Sequence, residues 1–271
     1  MLVPPLSLAL AGLEPDRLGA TPGTRGLIEW GARAGFRAVQ LDATAPDTRP
    51  RDLDRSGRRD LAALLRRHDL VLSGIDLWIP PGHFADPARI DRAVSAATAA
   101  LQVAADVASL VRGHGVASSR RTESGLMVAV TLPPEPPAAV RAALIDAAER
   151  VGVRLADHAY PQPASPGVSG DRSPWLGVGI DPAALLLTGA DPAGAAARAG
   201  DALAGARLTD AAPPRPRVAP GAPGGRLDIQ AYIVALLAAR YPGHAVLDLG
   251  GLPDPPAAAA AAQRAWGVSG F

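Results

Sequence analysis

Residues 26–43 read Gly-Leu-Ile-Glu-Trp-Gly-Ala-Arg-Ala-Gly-Phe-Arg-Ala-Val-Gln-Leu-Asp-Ala. Leu27, Trp30 and Ala34 recur at three- and four-residue spacing, which predicts a helix over Gly26–Ala34, and Gly35 stands where a helix stops. The run Ala38–Ala43 that follows is apolar apart from Gln40 and Asp42 and too short for a helix, so it reads as a strand covered on both faces. Its end carries a carboxylate, Asp42.

The same unit recurs along the chain. Short apolar runs at Leu6–Leu13, Ala38–Ala43, Val71–Leu77, Leu126–Leu132, Val153–Asp157, Leu176–Asp181, Ala206–Asp210 and Ala245–Leu249 alternate with amphipathic stretches. Further helices are predicted at Gly57–His68, Pro87–Val107, Ala138–Val151 and Asp228–Arg240, and an eighth runs from Asp254 through an Ala run to Trp266. Asp86-Pro87 and Asp191-Pro192 read as N-cap followed by a proline in the first turn. Eight βα units in 271 residues predict an α/β fold, a (β/α)8 TIM barrel forming a single domain over residues 1–271. Arg112–Gly125 is a polar connector, Tyr160–Pro174 replaces a full fifth helix with Pro, Ser and Gly, and Ala211–Gly225 is a Pro/Gly-rich loop that either closes over a ligand or is disordered. The apolar stretch Ile233–Leu237, with Tyr232 and Tyr241, serves either barrel packing or a dimer contact, so monomer and homodimer both stay open.

Composition removes whole classes of chemistry. All 27 basic residues are Arg, which excludes a Schiff-base aldolase, a pyridoxal-phosphate enzyme and a P-loop nucleotidase, each of which needs a lysine amine. With no Cys, disulfides, thiolate zinc sites and cysteine nucleophiles are excluded as well. A formal net charge of +1 leaves no footprint for nucleic acid or an anionic membrane. No stretch reads as a membrane span, and the opening residues lack the basic segment and cleavage pattern of a signal peptide, so a cytoplasmic setting is expected.

The chemistry is expected at the strand ends, because the C-terminal rim of a parallel barrel faces the pocket. Asp42, Asp76, Asp157, Asp181, Asp210 and Asp248 all stand there, with Trp78, His83 and His158 close by in sequence. Carboxylates converging on one mouth repel one another unless a cation neutralises them, so a divalent metal or a guanidinium partner is expected. The plain alternative is that several of them cap the following helix, as Asp181 before Pro182 and Asp248 near Gly250 are placed to do.

Three segments together resemble the sugar phosphate isomerase/epimerase group of xylose isomerase-like barrels: residues 27–42, with Gly35-Phe36 ahead of Val39 and Leu41; residues 179–185, with Ile180-Asp181; and residues 206–211, with Leu208-Thr209-Asp210. The resemblance implies one divalent ion (Mn, Mg, Co or Zn), no organic cofactor, and a small-molecule sugar or sugar phosphate as partner. Carried over, it implies Asp157, Asp181 and Asp248 as metal ligands, with Asp157 and Asp248 also catalytic in moving protons beside the substrate carbonyl. It also exposes departures: the family's seventh-strand His falls on Arg207, and another His falls on Ala184, neither of which ligates metal. Arg207 is then either a substrate-binding residue or the cation standing where the ion would be, and Asp76, Trp78, His83 and His158 complete the substrate-binding set, Trp78 having a core position as its alternative. The function expected is a sugar or sugar-phosphate isomerase or epimerase; the alternative is a catalytically degenerate barrel that binds carbohydrate or another protein. A DNA-repair activity, also found in the wider group, is disfavoured by the balanced charge.

Overall fold

The computed structural model describes residues 3–113, 125–159 and 173–268. Eight parallel strands close into a barrel: β1 (Leu6–Ala9), β2 (Ala38–Asp42), β3 (Val71–Asp76), β4 (Met127–Val130), β5 (Arg154–Asp157), β6 (Leu176–Ile180), β7 (Leu203–Leu208) and β10 (Ala245–Leu247). The ring runs β1-β10-β7-β6-β5-β4-β3-β2 and returns to β1. All eight expected runs are strands of this barrel, although β7 begins at Leu203, ahead of the expected Ala206.

Alternation of side chains along each strand creates two cores. Outward-facing Leu8, Val39, Leu41, Ile75, Val128, Leu155 and Leu208 join the large cluster between strands and helices. Inward-facing Ala9, Met127, Ala129, Ala156, Ala204 and Val246 form a small separate cluster in the lumen. Deep in that lumen Ser7 and Ser73 hydrogen-bond to each other, Oγ to Oγ at 2.5 Å, which satisfies both hydroxyls where water has no access.

The helices α1 (Gly23–Arg33), α2 (Arg55–Arg67), α3 (Ile90–Arg112), α4 (Ala138–Val151), α5 (Pro182–Leu187), α6 (Pro192–Ala199), α7 (Ile229–Ala238) and α8 (Pro255–Val268) follow the sequence expectation closely. Asp54, Asp191 and Asp228 accept hydrogen bonds from the first-turn amides of α2, α6 and α7. Asp86 does not cap α3. It accepts from the Ala88 amide at 2.9 Å in a turn, and the helix begins at Ile90. At 23 residues α3 is long and apolar enough to cross a membrane, contrary to the expectation that no stretch is. Its stripe of Ala97, Ala100, Leu101, Ala104 and Val107 is fully buried in the core, which accounts for its composition. In α7, Tyr232, Ile233 and Leu236 are buried and Val234 is exposed, so the apolar face serves barrel packing.

The loop after β7 is neither featureless nor unformed. It opens with an antiparallel hairpin, β8 (Asp210–Ala212) and β9 (Arg215–Val218), turning through a cis bond between Pro213 and Pro214. Asp210 ties the base of this hairpin to the chain beyond it. Its Oδ1 accepts from the amides of Ala211 at 2.7 Å, Arg226 at 2.9 Å and Leu227 at 2.9 Å. The expected connector Arg112–Gly125 and loop Tyr160–Pro174 fall mostly outside the described residues.

Replacing Asp210 with Ala removes the side-chain acceptor of the buried Ala211 amide and the half-buried Leu227 amide, at about 1–3 kcal/mol. The expected outcome is lower stability in a urea titration together with faster proteolytic cleavage between residues 211 and 225; unchanged values for both would show that the carboxylate does not anchor the hairpin.

Candidate functional site at the barrel mouth

Strand parity decides which rim carboxylates enter the lumen. On β2, β3, β6 and β10 the inward set includes Gln40, Gly74, Gly179 and Val246, so Asp42, Asp76, Asp181 and Asp248, each two residues further on, also face in. On β5 the inward residue is Ala156, so His158 faces in and Asp157 faces out with Leu155. Asp157 accordingly bonds the backbone of the outer layer, its Oδ1 accepting from the Leu132 and Ala159 amides at 3.0 Å each. It is not placed with Asp181 and Asp248 as the family pattern implied.

Arg207 organises the inward set. β7 lies four strands from β3 in either direction round the ring, so the two are opposite, and the Arg207 side chain crosses the lumen between them. Its Nη2 donates to Asp76 Oδ1 at 2.9 Å and its Nη1 to Asp248 Oδ2 at 2.9 Å. The three side chains are only 17%, 15% and 10% exposed, so these pairs are little screened by solvent. The Nε–H of Arg207 is buried and has no hydrogen-bond partner among the described residues.

A second guanidinium reaches the same carboxylate from the hairpin. Arg217 Nη2 donates to the Asp248 carbonyl oxygen at 2.8 Å, and its Nη1 lies 3.3 Å from Asp248 Oδ2. Sequence reasoning missed this residue; the available signal was the alternation Arg215-Pro216-Arg217-Val218 after two prolines, a hairpin arm with one face charged. Asp248 also accepts from the Gly250 amide at 2.9 Å in a turn; it does not cap the following helix, which begins at Pro255 and takes its first-turn contact from Asp254. Asp181 caps α5 through the Ala183 amide at 3.1 Å and accepts the Thr209 hydroxyl at 2.5 Å. Asp42 accepts from the Thr44 amide and hydroxyl at 2.7 Å each.

The His158 imidazole lies against β6 and β7, and glycine makes room for it. A Cβ on Gly179 would come within 2.5–2.6 Å of the ring, and one on Gly205 within 3.1 Å of Nε2. Both ring nitrogens are buried without a hydrogen-bond partner among the described residues. Trp78 is 71% exposed beyond the end of β3, so its core alternative is overturned. His83 bonds Arg89 at 2.8 Å on the approach to α3 and makes no contact with the Arg207 cluster. Ala184 lies within α5.

Burial raises Asp76 above the usual carboxylate range, with Arg207 opposing and the Asp248 and Asp42 charges assisting. Burial likewise raises Asp157, opposed by its amide partners. For Arg207 burial acts downward, but Asp76, Asp248 and Asp181 together outweigh it and hold the guanidinium charged. Burial, assisted by the Arg207 charge, holds His158 well below the ordinary imidazole range.

The donor set does not fit a divalent ion as it stands. Among the described residues no three His, Asp or Glu side chains are grouped to hold one. The strongest reason is chemical: a guanidinium that cannot ligate metal occupies the space between Asp76 and Asp248.

Two measurements check this geometry. Gly179→Ala is expected to destabilise by about 1–3 kcal/mol through overpacking against the ring, and His158→Ala in the same chain to recover most of the loss; equal costs with and without the ring would remove the packing account. The unfolded chain protonates its histidines as pH falls through about 6.5, whereas folded His158 and His244, both lowered by burial, stay neutral. The unfolded state then binds more protons, so stability falls as pH falls, by up to about 1.4 kcal/mol per pH unit for each histidine. Asp76 and Asp157 act in the opposite sense nearer the carboxylate range, so the slope is read between about pH 7 and 5.5; His158→Gln is expected to flatten it, and a slope untouched by that change would count against a neutral His158.

Comparison with known proteins places the barrel. A D-psicose 3-epimerase crystallised in the presence of D-fructose shares 14% identity, with 98% of each chain covered and a TM-score of 0.68. An IOLI protein with a binding zinc atom shares 15%, covering 98% of this chain and 97% of that one, with a TM-score of 0.66. A sugar phosphate isomerase/epimerase from Parabacteroides distasonis shares 10%, covering 98% and 96%, at 0.65. At such identities these likenesses establish the fold alone. No curated protein matches the chain. The model of one family, described as xylose isomerase-like TIM barrel, matches residues 28–267, and with nearly the whole barrel inside that match, the chain belongs to the xylose isomerase-like TIM barrel family.

Proposed function

We propose that the mouth binds a small sugar or sugar phosphate and moves a proton beside its carbonyl, as an isomerase or epimerase, with Arg207 supplying the positive charge. The observation that carries this reading is the chain Asp76–Arg207–Asp248 across the lumen. A carboxylate on either side of a fixed cation suits the reaction: one takes the proton from the carbon next to the carbonyl, the guanidinium stabilises the enediolate oxygen, and the proton is returned to the neighbouring carbon or the opposite face. Asp248 keeps the acid–base role expected of it, and Asp76, whose carboxyl burial makes harder to ionise, takes the part expected of Asp157. Trp78 offers an exposed aromatic surface for a sugar ring at the rim. No step is assigned to a divalent ion.

The second reading, a binding barrel without catalysis, is favoured by one specific observation: Asp42, Asp76, Asp181 and Asp248 are each already engaged by Arg, Thr or backbone partners. Deuterium incorporation separates the two. With D-fructose, D-psicose and their phosphate esters in D2O containing EDTA, exchange at the carbon beside the carbonyl is expected, falling about 10²–10⁴-fold on Asp248→Asn. Saturable sugar binding with no exchange would favour the binding barrel, and neither binding nor exchange would overturn both readings.

A further inference from the structure

Resting on the sugar-binding reading above and narrowing its substrate class, we propose that the mouth takes an unphosphorylated, uncharged sugar and rejects phosphate esters, because Asp210, Asp228, Asp248 and Asp254 hold the amides that a phosphate needs. Parallel barrels frequently seat a phosphate on backbone amides and a helix N-terminus in the loops after the seventh and eighth strands. Here those loops follow β7 and β10, and carboxylates of the chain itself are bonded to their amides. After β7, Asp210 accepts from the amides of Ala211, Arg226 and Leu227, and Asp228 accepts from the Ala231 amide in the first turn of α7 at 2.9 Å. After β10, Asp248 accepts from the Gly250 amide at 2.9 Å, and Asp254 from the Ala257 amide in the first turn of α8 at 3.0 Å. A phosphate brought to either loop meets a fixed like charge where it needs a donor.

The side-chain cations are committed in the same way. Arg207 spans Asp76 and Asp248, and Arg217 bonds the carboxylate and the carbonyl oxygen of Asp248. Among the described residues the inward rim therefore sets the carboxylates of Asp42, Asp76, Asp181 and Asp248 against the guanidiniums of Arg207 and Arg217, and the balance is negative. Arg215 stands exposed at the hairpin tip, where a solvated charge is a weak anchor for an anion. To an uncharged sugar the same mouth offers carboxylate oxygens that accept its hydroxyls, a guanidinium for its carbonyl oxygen, and the exposed ring of Trp78. A negative rim costs such a ligand little and a phosphate dianion much.

The test titrates the full chain with D-fructose, D-psicose and their phosphate esters by ligand-observed NMR, at constant ionic strength with EDTA present, and follows proton exchange in D2O on the same samples. Free sugars are expected to bind roughly tenfold or more tightly than their esters, and inorganic phosphate is expected not to displace them. Asp42→Asn removes a rim charge and Asp254→Ala frees a first-turn amide, and each is expected to narrow the preference for free sugar. Esters that bind the wild type as tightly as free sugars, or more tightly, overturn the proposal, as does a preference that neither substitution changes. Exchange with esters alone also overturns it while leaving the isomerase reading intact. Selective binding of free sugars without exchange does the reverse, and a chain that binds neither class overturns both.

Discussion

A barrel lumen is a poor place for charge, and four inward carboxylates at one rim are stable only if something positive is held among them. Arg207 meets that demand from within the chain. Its side chain joins β7 to β3 across the ring and to β10 beside it, so two of those carboxylates share one cation whose position is set by covalent bonds. The rest of the mouth is arranged around that fact. Small residues on the inward faces leave the guanidinium room to cross, glycines on β6 and β7 admit the His158 ring beside it, and the hairpin brings Arg217 to the carboxylate that Arg207 shares.

The fold was legible because it rests on features written locally. Runs such as Val71–Leu77 and Leu126–Leu132 are short and mostly apolar between amphipathic stretches, which reads as covered strands, and Asp191-Pro192 and Gly152 punctuate helices by simple backbone chemistry. The site was less legible, for reasons of direction and partnership. Asp157 and His158 are neighbours, and a strand turns neighbours to opposite faces; a count carried from Ala156 would have selected the histidine, but which residue of the pair faces the lumen depends on where the strand sits in the barrel. The ion pairs of Arg207 join residues 131 and 41 positions apart in sequence, and no local pattern carries that information. Asp181 and Asp248 were expected either to cap or to face the mouth; Asp181 does both, whereas Asp248 faces the mouth and closes a turn on Gly250 without capping a helix.

Arg217 illustrates a further limit. A Pro/Gly-rich stretch suggests a loop, and only the charge alternation of residues 215–218 hints that one arm of it is a strand with a charged face. Its partner is a carboxylate already committed to another guanidinium, an arrangement that composition alone gives no reason to expect.

The hairpin is fastened unevenly. Ala211, Ala212 and Val218 at its base are buried, while Pro213, Pro214, Arg215 and Pro216 at its tip are exposed, and what draws the second arm toward the lumen is the attraction between Arg217, 28% exposed, and Asp248. Attraction between partly solvated charges is weakened by dissolved electrolyte far more than apolar burial is. The placement of this arm is therefore more responsive to ionic strength than the span of Arg207 beneath it, whose side chain is the less exposed of the two at 17%.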